Sequence, residues 1–406
     1  MSVELTPVEG GNATSAEGFS GGAVYAGLKS AGPGKLDLGL LFSDRPCVAA
    51  ATFTQSTVVS PSVVLSRDMI QRGGQMRAVV VNSGIANACV GEQGMKDAKE
   101  MVSLAASRLG VSPEEVLVCS TGVIGTELPM GLVRDHMPDI QLTPDGGQAL
   151  SRAIHTTDTR PKTKAVRVDI GGRTVTVGGM SKGAGMIHPN MATMLAFMTT
   201  DAAVDQDFLR RTLSHAVADS FNMIDIDTDT STNDTCILLA NGAAGNEPLR
   251  GGDADSEVFA AALKDVATHL AKEIARDGEG ATKLIEVQVN GAHSVEDARR
   301  AARSVSSSPL VKTAVYGRDP NWGRILMAVG KTQIPLDESK IRVYINDIQI
   351  VEDGMAIPFH IGSVVKALNE SEVYIRVDLN VGNGNAVAWA CDLTEEYVVF
   401  NSAYTT

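Results

Sequence analysis

The pattern of apolar and polar positions divides the first 280 residues into strand and helix candidates. Apolar runs and two-residue alternation predict strands at 46–54, 77–82, 116–119, 164–169, 174–177 and 236–241. Apolar positions spaced three and four residues apart predict helices at 96–109, 205–220 and 258–276. Strands and helices do not alternate regularly, so the pattern argues against a doubly wound parallel sheet.

The pattern changes after Gly280, where short strands become more frequent. Strands are predicted at 284–289, 312–316, 341–345, 348–351 and 373–379, and helices at 295–304 and 321–329. Asn346-Asp347 lies between two of these strands and is typical of a hairpin turn. We therefore predict a core unit over roughly 1–205, a middle α/β subdomain over roughly 206–280 and a C-terminal α+β domain over roughly 281–406.

Composition and charge narrow the classes of function. The chain has 406 residues, of which 44% are hydrophobic and 20% charged, as in ordinary soluble globular proteins. A formal net charge of -13 argues against nucleic acid or an anionic membrane as the main partner, but not against a small anionic substrate. The sequence contains no apolar run long enough for a transmembrane helix and no signal-peptide pattern at its N-terminus.

The cysteines favour reduced, mostly buried thiols in a cytoplasmic protein. They are scattered and form no CxxC pair, which argues against a disulfide framework and against a zinc site; they are Cys47, Cys89, Cys119, Cys236 and Cys391. We interpret His188, next to Pro189, as a structural loop residue. The sequence predicts no metal site.

Three further segments resemble ligand-binding motifs but lack residues that those motifs require. The Gly330-Lys331-Thr332 segment lacks the glycine that a P-loop requires five residues earlier, where the chain has Ile325. The glycines at 382 and 384 lack the third glycine of a dinucleotide-binding motif. The acidic tract at 225–234 lacks the glycine and terminal glutamate of a calcium loop, so we interpret it as a hydrogen-bonded polar turn. No cofactor is predicted.

The stretch from Lys182 to Thr200, KGAGMIHPNMATMLAFMTT, runs from a glycine-rich loop into an apolar strand. At the junction, the Thr193 hydroxyl can attack the carbonyl of the small residue Ala192 and give an ester, whose hydrolysis leaves an N-terminal threonine. The new α-amine has an ordinary pKa of about 8 and can act as general base for its own hydroxyl. The pattern alone leaves an ordinary buried strand as the alternative.

Six segments resemble landmarks of the ornithine acetyltransferase / glutamate N-acetyltransferase family of arginine biosynthesis, in the family's order. They are CSTGVIG around Thr121, TTDTRPK around Thr159, KGAGMIHPNMATMLAFMTTD around Thr193, DGEGATKL around Glu279, YGRDPNWGRI at 316–325 and the closing NSAYTT. Together they extend over nearly the whole chain. The combination is therefore far more specific than any one of the segments.

The resemblance implies roles for individual residues. Thr193 matches the nucleophile, exposed by self-cleavage after Ala192, and Thr121 and Gly122 match an oxyanion hole, in which a hydroxyl and a backbone N–H stabilise the tetrahedral intermediate. The positions that match substrate contacts are Thr193 itself and Thr159, Lys182, Glu279, Asn401 and Thr406. Lys182 suits a substrate carboxylate and Glu279 a substrate amine. The C-terminal tail then has to fold over the pocket.

The implied activity is a ping-pong transfer of the acetyl group from N2-acetylornithine to glutamate through acetyl-Thr193. Some family members also use acetyl-CoA as donor, and no feature of this sequence decides that point. The implied α+β fold is a layered αββα sandwich, resembling N-terminal-nucleophile hydrolases with a different topology, plus a smaller C-terminal α+β domain. An α chain (1–192) and a β chain (193–406) are expected to pair as a heterotetramer of two of each.

Two other classes of function remain open at this point. The first is an autoprocessing aminopeptidase or amidase of similar fold, in which water is the acceptor. The second is an uncleaved binding or scaffold protein. The sequence also departs from the family pattern at Ile85, where the family usually has asparagine, and at Thr228, where it usually has glycine. We expect these two departures to affect substrate preference more than mechanism.

Overall fold

The computed structural model describes residues 3–29, 34–188 and 194–403. Ala192, Thr193 and Thr406 lie outside the described residues. The strands are β1 Thr6–Pro7, β2 Phe19–Val24, β3 Leu38–Phe53, β4 Met76–Ile85, β5 Val116–Val123, β6 Lys162–Ile170, β7 Arg173–Lys182, β8 Leu195–Thr200, β9 Ile224–Asp225, β10 Thr235–Ala240, β11 Leu284–Ala292, β12 Arg342–Ile345, β13 Ile348–Glu352, β14 Met355–Ala356, β15 Glu372–Asp378 and β16 Gly384–Cys391.

The helices are α1 Pro61–Arg72, α2 Gly91–Leu109, α3 Met130–His136, α4 Gly147–Ala153, α5 Gln206–Ala218, α6 Ala254–Arg276, α7 Val295–Ser306, α8 Pro309–Gly317, α9 Trp322–Gly330, α10 Ile361–Ala367 and α11 Glu395–Ala403. Most helices begin at a side-chain cap. Asp205 caps α5, Asp253 caps α6 and Ser294 caps α7, each accepting a hydrogen bond from a backbone N–H of the first turn. None of the helices in the described ranges is long and apolar enough to cross a membrane.

The larger sheet bends back on itself at the middle of β3. Its strand order is β1-β6-β7-β8-β10-β3-β4-β5, with β2 also paired to β3. The first part of β3 pairs with β4 and the last part, Val48 to Phe53, pairs with β10. The register shifts between Phe42 and Cys47, around Pro46, which cannot donate to a strand ladder. One long strand therefore belongs to both halves of the sheet.

The two halves of this sheet pack face to face. Side chains alternate between the faces of a strand, so Val79 and Val81 of β4 point into an inner hydrophobic cluster, together with Leu195 and Phe197 of β8. The intervening residues point outward into two outer clusters. Helices α2 and α3 cover one outer face, and α5 and α6 cover the other. These four layers confirm the αββα sandwich that the resemblance implies.

The smaller sheet has the order β14-β13-β12-β15-β11-β16-β9. Its last strand, β9, comes from the middle of the chain, whereas β10 pairs in the larger sheet. The acidic tract at 225–234 therefore crosses from one sheet to the other. Helix α6 contacts β6 and β7 of the larger sheet and β9 and β16 of the smaller one. The domain boundaries near residues 205 and 280 stay predictions.

One strand prediction is wrong, and one turn prediction is confirmed. The segment 312–316 lies in helix α8, because the Ser308 side chain accepts the Val311 N–H and Pro309 occupies the first turn. Its buried residues, Val311, Lys312, Ala314 and Val315, have helical spacing. At the predicted hairpin, Ile345 pairs with Ile348 across Asn346, whose φ is 50°.

Candidate active-site cleft

A cleft lies where the end of β5, the loop after β7, the acidic tract and helix α11 meet. Five residues singled out from the sequence line it, although they come from distant parts of the chain: Thr121, Gly122, Lys182, Glu279 and Asn401. Thr159 does not line the cleft. Thr193 lies outside the described residues, as do Ala192 and Thr406, so their predicted roles stay predictions.

Thr121 and Gly122 lie at the end of β5, where this strand runs parallel to β4. Gly122 has a φ of 132°, and a Cβ at this position would lie 2.5 Å from the Ile85 nitrogen and closer still to the Gly84 carbonyl group. Glycine is therefore required both for the backbone conformation and for the contact. Thr121 is buried, and its Oγ1 accepts a hydrogen bond from the Lys182 Nζ at 3.2 Å. Its own hydroxyl hydrogen is left to donate elsewhere.

Lys182 ends β7 and brings a buried cation to the cleft. Burial lowers the pKa of its ammonium group, and the neighbouring charge of Lys162 acts in the same direction. The carboxylates of Asp158, Asp234 and Glu279 oppose this shift. A desolvated ammonium group in such surroundings is suited to bind a carboxylate that enters the cleft.

A buried ion network lies behind Lys182. The Lys162 Nζ lies 2.6 Å from an oxygen of Asp158 and 2.6 Å from an oxygen of Asp277, and all three side chains are almost fully buried. Asp158 also accepts the Gly183 N–H at 2.7 Å. Burial alone would raise the pKa of Asp158, but the charges of Lys162 and Lys182 hold it far below its ordinary value. The network thus fixes the backbone that directly follows Lys182.

Thr159 belongs to this network. Its N–H donates to Asp277 at 3.0 Å, and its hydroxyl donates to the other oxygen of the same carboxylate. The threonines of this loop that line the cleft are Thr156 and Thr157. The substrate contact expected of Thr159 stays a prediction, and the structure gives Thr159 a supporting position.

The acidic tract forms a hydrogen-bonded turn, as predicted. Asp227 accepts the N–H groups of Met186 at 2.6 Å and Ile187 at 2.8 Å, so it holds the loop after β7. Burial raises the pKa of its carboxyl group. Thr228 has a φ of 67°, a conformation that glycine adopts without strain, which explains why glycine is usual at this position in the family. The Asn233 side chain donates to Ser120 O at 2.8 Å, beside Thr121.

The C-terminal helix closes one side of the cleft. Asn401 of α11 donates through Nδ2 to the Glu279 carboxylate at 2.9 Å, and the Tyr397 hydroxyl group lies 3.3 Å from Asp227. The Glu279 N–H donates to Ala184 O at 2.8 Å, which ties the glutamate to the loop after Lys182. The tail therefore folds over the pocket, at least to residue 403.

Two further residues discussed from the sequence, His188 and Ile85, contact other side chains of the protein. The His188 ring nitrogen Nδ1 lies 2.9 Å from the buried Asp225 carboxylate, as suits a structural loop residue. Ile85, the other departure from the family pattern, packs in the outer hydrophobic cluster under α2 and α3. In the described part of the chain, no group of three or more His, Cys, Asp or Glu side chains is arranged to hold a metal ion.

Sequence reasoning missed several residues that line the cleft. These are Thr156, Thr157, Asp227, Asn233 and Tyr397. Thr156 and Thr157 lie within the same short motif as Thr159, so the motif indicated this loop of the cleft. No local pattern distinguished Tyr397, because its contact with Asp227 joins residues 170 positions apart.

The chain is similar to known proteins over nearly its whole length. A model of the ArgJ family matches residues 20–406. The arginine biosynthesis bifunctional protein ArgJ of Symbiobacterium thermophilum is 51% identical over 398 residues, which cover 98% of this chain and 99% of the relative. The protein of the same name from Bacillus subtilis is 45% identical over 396 residues, which cover 98% and 97% of the two chains.

A crystal structure of a relative is also similar to this chain. The crystal structure of the arginine biosynthesis bifunctional protein ArgJ from Bacillus halodurans is 42% identical and has a TM-score of 0.50 to this chain. The match covers 51% of this chain and 98% of that one. The family model and the two full-length relatives extend over nearly all residues of the chain, which therefore belongs to the ArgJ family.

Proposed function

We propose that this protein is a glutamate N-acetyltransferase that moves the acetyl group of N2-acetylornithine to glutamate in arginine biosynthesis. The observation that carries the proposal is the convergence of Thr121, Gly122, Lys182, Glu279 and Asn401 in one cleft. Leu195, two residues after the predicted nucleophile in the sequence, pairs with the cleft residue Lys182 between β8 and β7. The names of the full-length relatives place them in the same pathway.

The proposed cycle needs a nucleophile, a base and an oxyanion hole. The Thr193 hydroxyl oxygen attacks the acetyl carbonyl carbon, and its proton passes to the α-amine of the same residue. The Thr121 hydroxyl group and the Gly122 N–H donate to the oxyanion. The carbon–nitrogen bond to ornithine then breaks as the α-ammonium group gives its proton to the leaving amine. Glutamate attacks the acetyl ester by the same steps in reverse.

Two of the charged residues that line the cleft, Lys182 and Glu279, match the two ends of the donor. N2-acetylornithine carries an α-carboxylate, which suits Lys182, and a side-chain ammonium group, which suits Glu279. Both residues are held by backbone contacts, Lys182 through the adjacent Gly183 and Glu279 through Ala184. Such fixed charges orient the acetyl group and contribute to specificity for a zwitterionic amino acid.

Self-cleavage after Ala192 is part of the proposal. Such a cut divides the chain nearly in half, into an α chain of residues 1–192 and a β chain of residues 193–406. The match to half of this chain over nearly the full Bacillus halodurans chain is consistent with one product of such a cut. Pairing of two α and two β chains, a cytoplasmic location, independence of any cofactor and the use of acetyl-CoA as donor stay predictions.

The activity is tested by the intact mass of the purified protein after incubation with N2-acetylornithine. We expect two chains, with one acetyl group on the 193–406 chain that is removed when glutamate is added. Thr193→Ala is expected to give neither cleavage nor acetylation, whereas Thr193→Ser retains a hydroxyl group and is expected to give both. A single intact chain of 42.6 kDa from the unaltered sequence would contradict the proposal. Release of acetate without glutamate would instead support an amidase.

Thr159→Val is expected to lower the free energy of unfolding by about 1–2 kcal/mol, because Asp277 loses a hydroxyl donor inside a buried network. Thr157→Val is the matched variant in the same loop, and it is expected to raise the KM for N2-acetylornithine with little change in stability. Urea unfolding and steady-state kinetics measure the two effects. If Thr159→Val raises the KM and leaves stability unchanged, Thr159 contacts the substrate, as the resemblance implies.

A further inference from the structure

Asn233 is a buried residue whose carboxamide ties together the ends of strands β4 and β5. Its Nδ2 donates to Ala86 O at 2.7 Å, directly after β4, and to Ser120 O at 2.8 Å, within β5. A carboxamide has two N–H donors, and here main-chain carbonyl groups of two neighbouring strands accept them. The second of these carbonyl groups belongs to the residue directly before Thr121.

The pairing of β4 with β5 is irregular where this tie lies. The two strands pair one to one as far as Gly84 and Gly122, but Ile85 lies opposite both Thr121 and Val123. An irregularity of this kind interrupts the ladder of backbone hydrogen bonds. The main-chain ladder is therefore weakened beside the two residues of the proposed oxyanion hole, and a side-chain tie there compensates for the loss.

Asn233 is itself held in place within the acidic tract. Its N–H donates to Ser231 Oγ at 3.1 Å, and its carbonyl oxygen accepts the Thr235 hydroxyl group at 3.0 Å. Its side-chain oxygen Oδ1 accepts the Thr232 hydroxyl group. A side chain that is fixed by its own contacts can hold a neighbouring group within the small tolerance that catalysis requires.

We propose that Asn233 is a positioning residue for the oxyanion hole. By holding Ser120 O, it fixes the peptide unit that precedes Thr121, and its second contact anchors that unit to the end of β4. The Thr121 hydroxyl group and the Gly122 N–H are thereby directed to the place where the oxyanion forms. This inference rests on the proposed function and adds a residue that acts on the rate of acetyl transfer.

The expected effect is on rate and not on substrate affinity, because the proposed substrate anchors are held by other contacts. Asp158 holds the backbone directly after Lys182, and the Glu279 N–H donates to Ala184 O. An interaction that is made only in the transition state changes kcat and kcat/KM together and leaves KM unchanged. A residue that merely stabilises the fold would not produce this separation.

Asn233→Asp tests the proposal, because aspartate has the same shape but its carboxylate has no N–H donor and places an oxygen opposite the two carbonyl groups. The single-turnover rate constant for acetylation of the 193–406 chain is expected to fall by about 10²-fold, the effect of misplacing a catalytic group by about 1 Å. The KM for N2-acetylornithine is expected to stay nearly unchanged. The rate constant, unlike the amplitude, does not depend on the fraction of folded protein.

Asn246→Asp is the matched control. Asn246 is also buried, and its Nδ2 also donates to two main-chain carbonyl groups, Ala203 O at 3.1 Å and Glu247 O at 2.8 Å. It does not line the cleft. This variant is expected to lower stability against urea in the same way as Asn233→Asp and to leave the acetylation rate constant unchanged.

Two further readouts do not require N2-acetylornithine. Amide hydrogen exchange of fragments that cover residues 119–124, followed by mass, is expected to be faster in Asn233→Asp than in the unaltered protein or in Asn246→Asp. The activated ester p-nitrophenyl acetate needs oxyanion stabilisation but has neither charged end of an amino acid. Its acetylation of the 193–406 chain is expected to be slower in Asn233→Asp only.

The possible results separate this proposal from the proposed function. Slower acetylation by p-nitrophenyl acetate with faster exchange at 119–124 supports the positioning role, even if the unaltered protein does not use N2-acetylornithine. Unchanged rate constants and exchange in Asn233→Asp overturn the positioning role and leave the transferase assignment in place. A raised KM with an unchanged rate constant assigns Asn233 to substrate binding and also overturns it.

A second variant covers the case in which Asn233→Asp does not fold. Asn233→Ser loses both amide donors and adds no charge, so it is expected to change the same measurements in the same direction by a smaller factor. If this variant is folded but remains uncut, hydrogen exchange at 119–124 decides: faster exchange supports the positioning role, and exchange equal to that of the unaltered protein overturns it.

Discussion

Lys162→Met is expected to lower the free energy of unfolding by roughly 3–5 kcal/mol, the cost of leaving buried charges without their partner. Lys162 joins Asp158 and Asp277 at 2.6 Å each, and the Lys162 and Asp158 side chains are fully excluded from solvent. Asp158 holds the backbone next to Lys182, so the KM for N2-acetylornithine is expected to rise as well. Urea unfolding and steady-state kinetics measure the two effects.

Lys164→Met is the matched control for this prediction. Lys164 lies two residues away on β6 and pairs with Asp265 at 2.7 Å, but both side chains are partly exposed. Exposed ion pairs contribute roughly 0–1 kcal/mol, so this variant is expected to remain nearly as stable as the unaltered protein. The triple variant Lys162→Met, Asp158→Asn, Asp277→Asn removes the unpaired charges and is expected to recover part of the loss. Equal effects of the two lysine variants would contradict the prediction.

Gly122→Ala is expected to lower the rate of acetyl transfer by about 10²-fold to 10³-fold, the effect of losing one oxyanion-hole donor. The added methyl group would overlap the Gly84 carbonyl group and lie 2.5 Å from the Ile85 nitrogen. The paired ends of β4 and β5 would have to separate, and the Gly122 N–H would move away from the oxyanion. The acetylation rate of the β chain, followed by mass, measures the change.

Gly125→Ala is the control at a neighbouring turn. Gly125 also has a positive φ, 83°, but a Cβ there would meet no atom within 4 Å. Backbone strain of about 1 kcal/mol is expected to reduce stability slightly and leave acetyl transfer nearly unchanged. If Gly122→Ala and Gly125→Ala transfer acetyl groups equally well, the Gly122 N–H does not serve as an oxyanion donor.

Local patterns predicted many of the elements of this fold. Strand alternation and helical spacing identified the cores of β4, β5, α5 and α6, because each pattern depends on neighbours a few residues apart. The same reasoning gave a strand for 312–316, where the local apolar residues suit either structure. The Ser308 cap and Pro309 decide for a helix, and packing of Val311 and Val315 in the core stabilises it.

The candidate site was predicted through motifs, each of them a short segment. They indicated Thr121, Gly122, Lys182, Glu279 and Asn401, which the fold brings to one cleft. They did not distinguish Thr159, which turns toward Asp277, from Thr156 and Thr157, which face the cleft. The orientation of Thr159 depends on its hydrogen bond to Asp277, a residue 118 positions away in the sequence. A short motif does not contain that information.

The sequence by itself therefore determined most helices and strands, the family motifs and the position of the predicted scissile bond. Each of these depends only on residues that are close together in the sequence. The tertiary structure decided how β3 folds the larger sheet onto itself and how the acidic tract joins the two sheets. It also decided which charges are buried together, as in the Asp158–Lys162–Asp277 network. Burial and long-range pairing arise only when distant segments pack, and no local pattern specifies them.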